Sequence, residues 1–137
     1  MHNLFVFGTL KRGFPLHHAL NAASLRGKGR TLLRYPMVIA GSRHAPMMFN
    51  EPGIGCHVTG EIYQLDDVCL EELDKLESVD TPGNTRARLR VLPIGAELSV
   101  GAWAYFKARQ LAAPIHTGYL ESYEDFRSFV GPPKQPA

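Results

Sequence analysis

Apolar and polar positions alternate between two rhythms along the chain. The run Leu4-Phe5-Val6-Phe7, stopped by Gly8-Thr9, is continuous and apolar, which predicts a buried first strand, since four residues are too few for a stable helix. Residues 15–25 carry Leu16, Ala19, Leu20 and Ala23 at spacings of three and four and end near Gly27, which predicts a short helix entered at Pro15. Residues 31–40 and 45–49 predict strands on either side of Gly41-Ser42. After the turn Pro52-Gly53-Ile54-Gly55, residues 57–65 alternate as a half-buried strand does, with Val58, Ile62 and Leu65 inward and the register interrupted near Gly60. Asp66 or Asp67 can cap a helix running to about Glu77. Beyond the turn at Thr81-Pro82-Gly83-Asn84, residues 85–92 and 97–108 form a hairpin through Pro93-Ile94-Gly95. The remainder is irregular, with Tyr119, Tyr123, Phe126 and Phe129, and residues 131–137 are expected to be a disordered tail. Many strands, two helices and no βαβ alternation predict an α+β fold whose sheet curls into a barrel-like core, with one domain over residues 1–130.

Composition narrows the function classes. A chain of 137 residues that is 45% hydrophobic can bury a core without a metal or a disulfide. Its formal net charge of +2 is too small and too mixed for a dedicated nucleic-acid protein. Cys56 and Cys69 lack a Cys-x-x-Cys spacing and read as reduced, packed thiols of an intracellular domain. No run approaches the ~20 apolar residues of a membrane span or forms a signal sequence, so a soluble, cytoplasmic protein is expected. The six histidines show no metal-ligand spacing, and no Gly-x-Ser-x-Gly nucleophile elbow occurs. Arg86, Arg88 and Arg90 fall on one strand face, either as its solvated side or as a footing for an acidic partner.

Two places can carry chemistry. In Phe7-Gly8-Thr9-Leu10-Lys11-Arg12-Gly13 a strand ends in a glycine-bounded loop, where backbone N–H groups can converge on an anion. Phe14 and Pro15 replace the Lys and Ser/Thr of a nucleotide-binding loop, so the guest is a smaller anion such as a carboxylate, with the Thr9 hydroxyl and the Lys11 and Arg12 charges in support. An ordinary strand exit with a solvated basic pair is the alternative. In the second helix, Cys69, Leu70, Leu73 and Leu76 form an apolar stripe, and Glu77 falls within about 40–50° of its centre. Burial and the negative end of the helix dipole would both raise its pKa, suiting it to proton transfer. A helix that frays before Glu77 would instead release it to water.

The chain resembles the γ-glutamylamine cyclotransferases of the wider γ-glutamylcyclotransferase-like superfamily. The resemblance rests on the segment from Leu4 to Gly13, on Gly29-Arg30-Thr31 with Tyr35-Pro36-Met37-Val38-Ile39-Ala40-Gly41, and on Val58-Thr59-Gly60-Glu61-Ile62-Tyr63. It continues in Leu73-Asp74-Lys75-Leu76-Glu77-Ser78 and in Glu121-Ser122-Tyr123-Glu124. It implies a small mixed β-barrel with flanking helices. It further implies that the backbone of Phe7, Gly8, Thr9 and Leu10 holds a glutamyl α-carboxylate, and that Glu77 is the acid/base. Phe7 stands where the family usually has Tyr. The implied reaction closes a γ-glutamyl amine, γ-glutamyl-ε-lysine above all, to 5-oxoproline and free amine without a metal or organic cofactor. The implied partner is a small-molecule substrate, with no nucleic acid and no membrane. Two alternatives accompany this reading: another γ-glutamyl substrate such as a γ-glutamyl amino acid, and a non-catalytic binder of an acidic small molecule.

Overall fold

A computed structural model describes residues 1–14 and 16–124. Five strands close a barrel in the order β1 (His2–Val6), β5 (Thr59–Leu65), β2 (Ser24–Thr31), β6 (Asn84–Pro93) and β7 (Val100–Lys107). The last contact of the ring is parallel, with Leu4 opposite Trp103, and the other pairings are antiparallel, so the barrel is mixed. Strands β3 (Met37–Ala40) and β4 (Ala45–Met48) form a separate antiparallel hairpin. One α-helix, α1 (Asp67–Leu76), follows β5. No helix among the described residues is long and apolar enough to cross a membrane.

The run after Asn3 is apolar throughout because β1 is covered on both faces. Phe5 and Phe7 join Ile62, Leu89, Val91, Ala102, Ala104 and Phe106 in the barrel interior, whereas Leu4 and Val6 pack outward with Tyr63, Leu65 and the buried side of α1. The same rule corrects the reading of β5. Ile62 points into the barrel and Leu65 to the outer cluster, and the pairing with β2 runs through Gly60 unbroken. Gly60 instead allows a close crossing, since a Cβ there would come within 2.3 Å of the Val6 carbonyl oxygen. The register shift lies in β2, between Leu25 and Gly27.

The helix expected over residues 15–25 is a single 3₁₀ turn, His17–Leu20, and Pro15 lies outside the described residues. Ser24 onward is strand β2. Its sequence, Ser-Leu-Arg-Gly-Lys-Gly-Arg-Thr, lacks apolar alternation because backbone pairing with strands on both sides holds it. Gly29 permits this packing, as a Cβ would meet the Leu92 carbonyl oxygen at 2.8 Å. The strand expected over residues 31–40 is two pieces, with Leu32 and Leu33 exposed between them. The hairpin of β6 and β7 is present, but its second strand begins at Val100 rather than residue 97. After a short 3₁₀ turn, Arg109–Leu111, the described part of the carboxy-terminal segment is irregular, and Tyr123 is fully buried in the barrel core. Phe126, Phe129 and residues 131–137 lie outside the described residues.

Cys69 is buried, Cys56 is half-buried, and both are free thiols. The arginines of β6 are engaged. Arg86 makes a double hydrogen bond to Asp74 at 2.7 and 3.1 Å, Arg90 binds Ser99, and Arg86 and Arg88 both lie over the Trp103 ring.

Candidate active site

The segment after β1 turns back on itself through three backbone hydrogen bonds, donated by Lys11 to Gly8, Phe14 to Lys11 and Leu16 to Thr9. These bonds leave the N–H groups of Gly8, Thr9 and Leu10 without a protein acceptor among the described residues. Glu61 anchors the loop. Its Oε1 accepts from the Arg12 backbone N–H at 2.8 Å and from the Tyr63 hydroxyl at 3.1 Å, and only 8% of the residue is exposed. Burial above all, with Glu61 adding, pushes the Tyr63 phenol up to about 12, so it remains a donor at any physiological pH. Lys11 is also buried. Its ammonium donates to the Tyr123 carbonyl at 2.8 Å and lies 4.9 Å from the Phe14 ring centre, turning the side chain to the carboxy-terminal segment. The expected basic pair of the loop is therefore structural at Lys11, and at Arg12 it is the backbone that is used.

Glu77 is placed by the end of α1. The helix starts at Asp66, whose carboxylate accepts from the Cys69 N–H at 2.8 Å, and buries Cys69, Leu70 and Leu73. Leu76, expected in the same stripe, is 45% exposed. Glu77 is the C-terminal cap. The next residue, Ser78, has φ +55°, and the N–H groups of Ser78 and Val79 return to the carbonyls of Lys75 and Asp74 at 3.1 and 3.0 Å. This is the paired closure that satisfies orphan carbonyls at a helix end, and Val79 completes it by packing on the outer cluster. A closed helix end gives the Glu77 side chain a defined place instead of a frayed one.

Phe7, Gly8, Thr9, Leu10 and Glu77 line one cavity of about 300 Å³. That volume lies at the lower end of the range for small-molecule sites. Burial raises the Glu77 pKa, and the Lys107 ammonium works against the rise. Lys107 donates to Asn84 Oδ1 at 2.8 Å, directly across the hairpin of β6 and β7. Tyr105 also lines the cavity, but its hydroxyl donates to Asp74 at 2.9 Å, and burial followed by Asp74 drives its pKa far up. Pattern reading did not find Lys107, Tyr105, Arg43 or Glu61. Glu61 alone left a signal, as a charge on the face of β5 that also carries Tyr63 and Leu65.

The comparisons with known proteins cover most of the chain. The family described as gamma-glutamyl cyclotransferase, AIG2-like, matches residues 4–128. The gamma-glutamylaminecyclotransferase of Bos taurus is 37% identical over 126 residues, covering 88% of this chain and 74% of the relative. The protein of the same name from Mus musculus is 37% identical over 136 residues, 90% of each chain. The crystal structure of an AIG2-like protein from Mus musculus has a TM-score of 0.79 at 36% identity, covering 90% of this chain and 88% of that one. With sequence and barrel matching over the same span, the chain belongs to the gamma-glutamyl cyclotransferase, AIG2-like family.

Proposed function

We propose that this chain is a γ-glutamylamine cyclotransferase that converts γ-glutamyl-ε-lysine to 5-oxoproline and lysine, with Glu77 as its acid/base. The observation that carries the reading is the meeting of a half-buried carboxylate and three unpartnered N–H groups in one cavity. The N–H groups of Gly8, Thr9 and Leu10 suit the glutamyl α-carboxylate, and Phe7 supplies an apolar wall. Held there, the substrate folds so that its own α-nitrogen approaches its γ-carbonyl carbon, and the reaction becomes a positioned intramolecular attack.

Glu77 takes the proton from the α-ammonium group. The freed nitrogen lone pair attacks the γ-carbonyl carbon, a new C–N bond closes the five-membered ring, and the old amide C–N bond breaks. The proton on Glu77 passes to the departing nitrogen, and the second proton that the attack leaves on the ring nitrogen follows through Glu77 to the released amine, so the amine departs as an ammonium ion, the ring amide is neutral and the carboxylate is regenerated. Among the cavity's ionisable side chains Glu77 alone suits this shuttle. Tyr105 is committed to Asp74 and Lys107 to Asn84, and a guanidinium does not serve as a proton shuttle. A carboxyl group whose pKa is raised by burial lies closer to the operating pH, where proton transfer is most effective.

The test is incubation with γ-glutamyl-ε-lysine and mass detection of 5-oxoproline and lysine. The expected result is turnover by the wild type and a loss of roughly 10²–10⁴-fold in Glu77→Gln. Equal rates for the two would overturn the assignment of Glu77. Ligand-dependent thermal stabilisation of both without turnover would make the domain a binder.

A further inference from the structure

We propose that Arg43 forms a second carboxylate site in the same cavity, selecting γ-glutamyl amides whose leaving amine itself carries a carboxylate. The inference rests on the cyclotransferase reading and adds the chemistry of the leaving group.

The cavity wall contains two cations, Arg43 and Lys107, and one carboxylate, Glu77. Lys107 is bonded to Asn84 and opposes the rise in the Glu77 pKa, so its charge already has a partner and a field to balance. The glutamyl carboxylate has the loop N–H groups. Arg43, an exposed residue that lines the cavity, makes no hydrogen bond, ion pair or ring contact among the described residues. A guanidinium is permanently charged and presents a fork that matches a carboxylate at two points. It is the wall's one cation with neither a protein partner nor an assigned task.

Its position suits the far end of a substrate held in the loop. Arg43 belongs to the turn joining β3 to β4, and three residues later the Pro46 ring touches Gly8, a separation of roughly 10 Å at most along the chain. Arg43 thus stands beside the loop on the wall of the same cavity. The turn is also held from behind. The His44 N–H donates to Gly41, the Gly41 N–H donates to Pro114 at 2.9 Å, and the His116 ring stacks on His44 at 4.1 Å. The His116 Nε2 lies 2.8 Å from the Gly41 carbonyl oxygen. A backbone fixed in this way lowers the ordering cost of presenting the side chain.

The ligand class follows. A lysine or another amino acid as leaving group brings its own carboxylate to Arg43, whereas a simple alkylamine brings nothing that a cation would hold. The experiment measures kcat and KM for γ-glutamyl-ε-lysine and γ-glutamyl-n-butylamine with wild type, Arg43→Gln and Arg43→Lys, reading 5-oxoproline. Arg43→Gln is expected to raise KM for the lysine compound about two- to fivefold, as loss of one solvent-accessible ion pair does, while kcat is kept. Both constants for the butylamine compound should be unchanged, which also shows that the variant is folded, and Arg43→Lys should fall between. Unchanged or equal losses on the two substrates would overturn the role of Arg43 and leave the cyclotransferase reading standing. Failure of the wild type to turn over either compound would overturn both.

Discussion

Pro46 and Gly8 touch so closely that a Cβ added to Gly8 would come within 2.5 Å of the Pro46 Cγ. The hairpin of β3 and β4 therefore rests on the loop at the residues that line the cavity. Gly8→Ala must push the ring or the loop aside. Overpacking of this kind costs about 1–3 kcal/mol, and a displacement near 1 Å at a reacting centre can cost about 100-fold in rate. The expected outcome is a modest fall in the urea midpoint with a much larger fall in kcat/KM. A variant that keeps its activity would show that the loop N–H groups do not hold the substrate.

Glu61 fixes the same loop from inside the wall. Glu61→Ala would leave the buried Tyr63 hydroxyl and the partly buried Arg12 N–H without their acceptor, at a cost of roughly 1–3 kcal/mol for a donor that water cannot reach. Glu61→Gln keeps a carbonyl oxygen and should lose distinctly less. Urea denaturation of the two variants, with KM measured alongside, checks this. Equal losses for Gln and Ala would mean that the negative charge, and not the acceptor geometry, secures the loop.

On the proposed role of Glu77, Lys107 should shift the acidic limb of the rate profile. Glu77 must be ionised to take a proton, so kcat/KM should fall as pH drops through its raised pKa. Burial lifts that pKa and the Lys107 charge lowers it, so Lys107→Met removes the lowering influence. The acidic limb of Lys107→Met should move to higher pH relative to wild type, with the plateau rate less affected than the position of the limb. A limb that moves to lower pH, or stays, would exclude Glu77 as the group that titrates.

What could be read from the chain follows from what local pattern encodes. The run from Leu4 to Phe7 and the stripe of Cys69, Leu70 and Leu73 carry their burial in their composition, so β1 and α1 were legible with the loop and Glu77 at their ends. Strand β2 was not, because Gly27 takes a positive φ at the register shift, Gly29 admits a close strand approach, and its hydrogen bonds come from distant strands. Glu77 lay within reach because a helix projects its residues at a fixed angle. The helix end itself was hidden, since Ser78 occupies a left-handed position usually given to glycine. Tyr105 and Lys107 reach the cavity through the pairing of β7 within the barrel, and Arg43 through the packing of Pro46 on Gly8, contacts between residues far apart in sequence. No local period marks that arrangement.

The same burial that suits Glu77 to proton transfer should make it a burden on the fold. In the unfolded chain its carboxyl ionises at the ordinary value, and in the native state it ionises higher. Below the ordinary value both states hold the proton and burial of the group costs little. As pH rises through the window between the two values, the unfolded chain releases its proton first, so native stability falls relative to a side chain that cannot ionise. Above the raised value the penalty is fully developed. Glu77→Gln should therefore be more stable than wild type at neutral and mildly alkaline pH, with the difference shrinking as pH falls below the ordinary carboxyl value. Urea midpoints of the two proteins across that range measure it directly, because other groups titrate alike in both. Greater stability of the wild type at neutral pH would mean that attraction to Lys107 outweighs burial, and Glu77 would then be a structural ion-pair partner, poorly suited to a proton shuttle.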